Sequence, residues 1–380
     1  MSAIAREDRL HSAPAQRPRL IDLSRGRLGL ATAPHVREAA KRALDDGETH
    51  YTTRPGLNPL RRAIAEKLER ENGIRVHAER EVLVTCGTRE AVFVALHVLL
   101  EHDDQAVVAG PAARLYRDVA RLAGGTARVI PGDPADGFAV DPDAIARRLT
   151  SRTRALVLVS PSSPAGSVAA GDRLEAVAEL ALARGLAVLS VEKLEPFVYD
   201  GAAARSVGSL PGMAERTVTI NGFSEPHGLA GWRVGYMAGP ESLLGPMTQL
   251  KQAMSICSPA VSQHAALAAI TGPRKPLESA RALVAGRRDR FFAALDSAGV
   301  PYIRPQGGFH VLVDARHAGA AGGSLQRALR SARLRVGSGA AVGAPGWLPV
   351  ALTSPSEVLE EAANRLGSVL AAAKGGTTDG

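Results

Sequence analysis

Cysteine is almost missing from this chain: Cys86 and Cys257 are the only two in 380 residues. Two thiols cannot build a disulfide framework, so a reducing, cytoplasmic setting is expected, with each cysteine filling core space. Long apolar runs are also lacking, as is a leader with a charged start, an apolar middle and a small-residue cleavage site. A membrane partner is therefore not expected. Aromatic residues make up only 4 %, and although the formal charge is +8, no Lys/Arg block with interleaved aromatics occurs. Nucleic acid is accordingly not expected as a partner. No cluster with metal-ligand spacing stands out, so no metal is expected. Internal repeats are absent, and the one low-complexity stretch is the Gly/Thr tail after Lys374.

What is present reads as a globular enzyme-sized chain. Apolar residues are 45 %, the usual range for a folded domain, and the length suits one large domain with a smaller appendage. Residues 1–17 are polar and interrupted by Pro and Ala, and read as a mobile arm. Residues 34–46 predict a helix with proline in its first turn. From residue 81 onward, Val- and Leu-rich runs (EVLVTCG, QAVVAG, ARVIPG, RALVLVS, LAVLSVE, RTVTING, GYMAGP) alternate with helical patterns. Their non-alternating apolar character predicts strands buried on both faces of a mostly parallel sheet, hence an α/β fold. After residue 274 the pattern changes to a long helix, a strand pair around GFHVLVD and a closing helix at 357–373, a separate α+β unit. The expected division is an arm at 1–17, an N-terminal segment at 18–50 packing with the small domain, a large domain at 51–273, a small domain at 274–373 and a disordered tail at 374–380.

Residues 221–236 read NGFSEPHGLAGWRVGY. Together with SLPGMAERTVTINGFS, RPQGGF and LRRAIAEKLERENGI, this text resembles the fold-type I, aspartate aminotransferase-like family of pyridoxal-phosphate enzymes. The resemblance spans about residues 21–370. It implies a seven-stranded, mostly parallel sheet flanked by helices, a small C-terminal α+β domain, and a homodimer with shared active sites. In the family pattern a lysine forms the Schiff base and an arginine eight residues later grips the cofactor phosphate. Arg233 fills the second place, while Glu225 stands in the first.

Position by position, the resemblance sets the cofactor-ring partners at odds with the pattern. Val191 takes the place of the aspartate at the ring nitrogen, Leu194 that of a tyrosine and Ser163 that of an asparagine facing the phenolic oxygen. Ala113 replaces the stacking aromatic, with Tyr116 as the second tyrosine of that segment, and Pro349 replaces the arginine for the substrate carboxylate. The anion-binding part is in place. Gly87, Thr88 and Arg89 stand at a strand-to-helix junction, where free N–H groups and the helix dipole favour phosphate or carboxylate. Arg233 adds a planar charged fork, and Tyr51 implies a reach across a dimer interface to the phosphate.

These substitutions lead to the expectation of a pyridoxal-phosphate-independent enzyme on an aminotransferase scaffold, one that is not a functional aminotransferase. Glu225 is the candidate general acid/base, acting on an anionic, amino-acid-derived small molecule by cyclisation, condensation, isomerisation or elimination in specialised metabolism. His227 and His310 are further catalytic candidates. Gly87, Thr88, Arg233, Tyr51, Ser163 and Tyr116 are candidate substrate- or anion-binding residues. No cofactor is expected, with non-covalent pyridoxal or pyridoxamine phosphate as one alternative and a non-catalytic ligand- or partner-binding homologue as another. Lys193 is placed at the surface by the usual exposure of lysine, with a relocated imine former as the alternative.

Overall fold

The computed structural model describes residues 19–112, 114–318 and 323–375. The arm expected at 1–17 lies outside the described residues, as does all of the expected tail beyond Gly375, where the closing helix Ser356–Gly375 ends. In chain order the strands are β1 (Ile21–Asp22), β2 (Val82–Thr85), β3 (Gln105–Ala109), β4 (Thr126–Ile130), β5 (Thr153–Val159) and β6 (Ala187–Val191). They continue with β7 (Thr217–Gly222), β8 (Gly235–Ala238), β9 (Tyr302–Ile303), β10 (His310–Asp314), β11 (Leu334–Arg335) and β12 (Trp347–Ala351).

Seven strands form the main sheet in the order β2-β8-β7-β6-β5-β3-β4. β3 pairs parallel with β4 and β5, β5 with β6, and β6 with β7, while β8 runs antiparallel to both β7 and β2. Six strands therefore point one way and β8 alone runs back. Helices cover both faces, which is why β2, β7 and β8 are buried at every position. The apolar runs of the sequence fit this two-sided burial. One core lies under helix Thr88–Leu99, around Leu83, Val108, Val157 and Ile220. The other lies under helix Gly171–Arg184, around Val107, Leu156, Val177 and Val188.

β9, β10 and β12 form a three-stranded antiparallel sheet with β10 in the middle. It packs with helices Lys275–Ser297 and Ser356–Gly375 on a core of its own that includes Phe291, Val311, Val350 and Leu366. The sequence pattern predicts only a strand pair here, whereas the sheet has a third strand in β12, which carries Pro349 in its interior. The strand forms because β12 is an edge, where a missing N–H is tolerated; the Pro349 carbonyl still accepts from Gly337 N at 2.8 Å. Near the N-terminus β1 pairs parallel with β11, and Ile21 and Leu23 are buried in the small sheet's core. The chain then crosses at Gly26 to Leu28 toward the main sheet. Among the described residues no helix is long and apolar enough to cross a membrane.

Candidate active site

In an open parallel sheet, ligands bind beyond the carboxyl ends of the strands, where loops converge and helix N-termini point. Here β2, β6 and β7 end at that edge. β8, running backwards, begins there, so Gly235 is in register with both Thr85 and Gly222. The topology thus places Gly87–Thr88, Lys193, Glu225 and Arg233 along one rim, although they come from four separate stretches of sequence.

Arg233 is exposed and adopts φ +54, a left-handed conformation that is uncommon for a side-chain-bearing residue and costs energy. The turn aims its guanidinium back over β2. Nη2 donates to the carbonyl of Cys86 at 3.1 Å and Nη1 to that of Ala230 at 3.0 Å. Two carbonyls fix the fork while its remaining N–H groups stay available. Beneath it lies Gly87, at φ +84, where a Cβ would sit 2.5 Å from Arg233 Nη2. A Cβ on Gly235 would meet the Gly87 backbone at 3.0 Å, and one on Gly222 would meet Thr88 Cγ2 at 2.9 Å. Three glycines on neighbouring strand ends thereby bring the guanidinium, the Gly87 backbone and the first turn of helix Thr88–Leu99 together. The first N–H groups of that helix have no intrahelical acceptor. Glu90 reaches back to bond the Cys86 N–H, and the N–H groups of Thr88 and Arg89 belong to that first turn.

Arg233 and Glu225 line the same cleft, of about 630 Å³, together with Arg27, Ser224, Trp232 and Ser262. Glu225 is half-buried, three residues past β7, and its Oε2 accepts the Leu28 N–H at 3.2 Å. Burial raises its pKa, opposed by that hydrogen bond and by the charges of Lys193 and Arg27.

The alternation of side chains past β6 sorts its residues. Val191 is buried in the sheet core. Glu192 turns to Ser190, Ser206 and Asn72, and Leu194 packs with Leu28, Phe197 and Phe309. Lys193, between them, is half-buried and makes no hydrogen bond or ion pair among the described residues. Burial lowers its pKa; the charge of Arg89 pushes it the same way and that of Glu225 opposes it. His310, at the start of β10, completes this floor. Burial and the charge of Lys193 lower its pKa to about 4, and its Nδ1 is buried without a partner. Gly26 makes room for it, since a Cβ there would lie 2.4 Å from the imidazole Cε1.

Several expected site residues fall elsewhere. His227 faces a second cavity of about 700 Å³ on the other side of the 223–228 segment, with His35, Lys67 and Glu195. Burial brings its pKa to about 4, and it packs 5.5 Å from the Phe223 ring, so the structure does not bring it together with Glu225. Tyr116 is buried in the main core, which pushes its phenol well up, although its electrostatic neighbour is Arg89. Ser163 is half-buried in the loop after β5. Tyr51 is 79 % exposed. Ala113, the expected stacking position, lies outside the described residues.

Sequence reading missed a buried polar network on the back of this rim: Lys67 with Glu195 and Asn72, Asn72 with Glu192 and Ser206, and Asn221 with Glu195. Lys193, expected at the surface, is half-buried.

Comparison with known proteins bears on this cleft. The profile of the family described as aminotransferase class I and II matches residues 18–366. Aromatic-amino-acid aminotransferase 2 of Thermococcus litoralis is 32 % identical, covering 97 % of this chain and 98 % of that protein. An aspartate aminotransferase of Pyrococcus abyssi is 33 % identical over 92 % of each. Among solved structures, aspartate aminotransferase from Thermus thermophilus with maleate superposes with a TM-score of 0.88 at 32 % identity, covering 97 % of this chain and 94 % of that one.

Relatives this similar, over this much of the chain, are named as aminotransferases. The expectation of a pyridoxal-phosphate-independent enzyme driven by Glu225 is therefore corrected, along with that of a protein outside aminotransferase chemistry. The expectations of no cofactor and of a lysine-less pocket are corrected with it. At the carboxyl edge of the sheet the Arg233 guanidinium is held over Gly87 and beside the first turn of helix Thr88–Leu99, an arrangement of charge suited to an anion. By its matched profile and its near-full-length relatives, this chain belongs to the class I and II aminotransferase family.

Proposed function

We propose that this chain binds pyridoxal phosphate in the cleft between Glu225 and Arg233 and acts on amino acids or their keto-acid counterparts, the substrates that its relatives' names indicate. The observation that carries this is the cradle of Gly87, Thr88 and Arg233. A fork fixed by two carbonyls over a glycine and against a helix N-terminus matches the geometry and charge of a phosphate.

Bound there, the cofactor supplies an aldehyde that captures amines. The chain's own residues do the rest. Arg233 and the Thr88 and Arg89 N–H groups hold the phosphate. Leu28 N–H fixes Glu225 on the cleft wall. Arg27, on the cleft wall, and Arg89, beside Lys193, are the cations left to meet a substrate carboxylate, since Pro349 offers none. The pocket departs from the family pattern at Glu225 and at Val191, whose apolar side chain gives the ring nitrogen no carboxylate.

In this reading the protein is a homodimer in which exposed Tyr51 reaches the partner's phosphate site. Residues 51–273 hold the cofactor, and 274–373 with 18–50 close over it. Light scattering on the purified protein tests the dimer.

Calorimetric titration with pyridoxal phosphate, and separately with inorganic phosphate, tests the site. Wild type binds both competitively. Arg233→Ala loses about ten- to a hundredfold in affinity for each, the scale of a charge-assisted bond. Equal affinity in wild type and variant contradicts the proposal.

A further inference from the structure

We propose that the cavity of about 700 Å³ behind the 223–228 segment is a second ligand site, suited to an uncharged, largely apolar small molecule that carries a hydroxyl or amide group. The inference does not depend on what occupies the cleft between Glu225 and Arg233.

Four stretches wall the cavity: the start of helix Pro34–Asp45, helix Asn58–Lys67, the segment after β7 and the start of helix Lys275–Ser297. The 223–228 segment divides it from the cleft, and Thr32 Oγ1 pins that segment by donating to the Gly228 carbonyl at 2.8 Å. The volume lies within the roughly 300–1,000 Å³ usual for small-molecule sites. Val36, Phe223, Ile270 and Leu277 supply apolar wall.

The charges on this wall are already matched. Lys67 pairs with Glu195, and Arg70 and Arg274 both pair with Glu71. Glu66, which completes the set, is exposed. No cation of the wall is left over for an anionic ligand, and a buried charge without a partner is costly.

Uncharged polar groups are what remain open. Tyr236, on β8, is 3 % exposed, lines the cavity and makes no hydrogen bond among the described residues. His227 makes none either. The two flank Phe223, whose ring lies 5.5 Å from the imidazole and 5.9 Å from the phenol. His35, on the same wall, has its Nε2 buried without a partner. Buried polar groups in folded proteins are overwhelmingly paired. Three open ones on a single cavity therefore describe the molecule that would complete them. A hydroxyl accepts from the Tyr236 phenol and donates to a neutral imidazole, while an apolar body covers Phe223 and Leu277.

The probe is 2-naphthol, uncharged near neutral pH, titrated into the full chain by calorimetry. Inorganic phosphate is present at saturation, so that the Arg233 cleft takes no part. The expected result is saturable binding of one equivalent per chain, with 2-naphthoate, the same ring carrying a charge, at least about tenfold weaker. Tyr236→Phe keeps the ring and removes the hydroxyl, and should lose about two- to tenfold in affinity, the scale of one neutral hydrogen bond. Leu277→Trp, on the half-buried wall of the long helix, should fill the space and abolish binding. Circular dichroism checks that both variants fold, and either one suffices if the other does not. No saturable binding, 2-naphthoate as tight as 2-naphthol, or full affinity in either folded variant overturns the proposal.

Discussion

The Arg233 guanidinium lies where a side chain on Gly87 would begin: Nη2 is 2.5 Å from the position of a Cβ on that glycine. Arg233 can stay over the strand end only because Gly87 has no side chain, and Gly87 takes φ +84 at no steric cost for the same reason. Gly87→Ala should therefore act twice, straining the turn and pushing the guanidinium off the cradle. We expect a loss of about 1–2 kcal/mol in denaturant unfolding and phosphate affinity reduced as far as in Arg233→Ala. Unchanged affinity in Gly87→Ala would show that the cradle is not the anion site.

Glu192 makes a pH prediction. Burial and the charge of Glu195 raise its pKa to about 7, from an ordinary value of 4.5. Its folded form holds the proton more tightly than its unfolded form. Its contribution is therefore full below about pH 4.5 and is lost as pH rises through 7. His227 and His310 act in the opposite sense. With pKa values lowered to about 4 from 6.5, their contribution is present above 6.5 and fades as pH falls toward 4. The readout is thus the difference in unfolding free energy between wild type and Glu192→Gln. It should change by on the order of 3 kcal/mol between pH 4.5 and 7. A difference that does not vary with pH would mean Glu192 is ionised throughout.

Much of this molecule is readable from its sequence, and what is not has a physical cause. Runs such as TVTING and AVLSV report burial on two faces, and burial on two faces means a parallel sheet. Arg233 and Gly87 are legible because they sit in local text whose spacing is tied to a strand end. The half-burial of Lys193 is not, because it depends on elements that are far away in sequence. His227, two residues from Glu225, faces another cavity because the 223–228 segment turns between them. The network of Lys67, Asn72, Glu192 and Glu195 spans more than a hundred residues and has no local signature.

Lys251 supports the cradle from behind. Its side chain is fully buried, with Nζ 3.9 Å from Glu90 and 3.2 Å from the Ser255 hydroxyl. Glu90 in turn holds the Cys86 N–H at the start of the anion-binding turn. Lys251→Met leaves the Glu90 carboxylate buried without its counter-charge, which costs about 3–5 kcal/mol. Lys251→Met combined with Glu90→Gln should recover a large part of that loss. If the double variant is no more stable than the single one in urea unfolding, the charge pairing is not the source of the effect.

The central claim is that the cleft between Glu225 and Arg233 holds pyridoxal phosphate, and a crystal structure determined with that ligand tests it most directly. The account predicts phosphate density bonded to Arg233 and to the N–H groups of Thr88 and Arg89, with the ring lying toward Glu225. Density only in the cavity beside His227 and Lys67, or an empty cleft at saturating ligand, would contradict it.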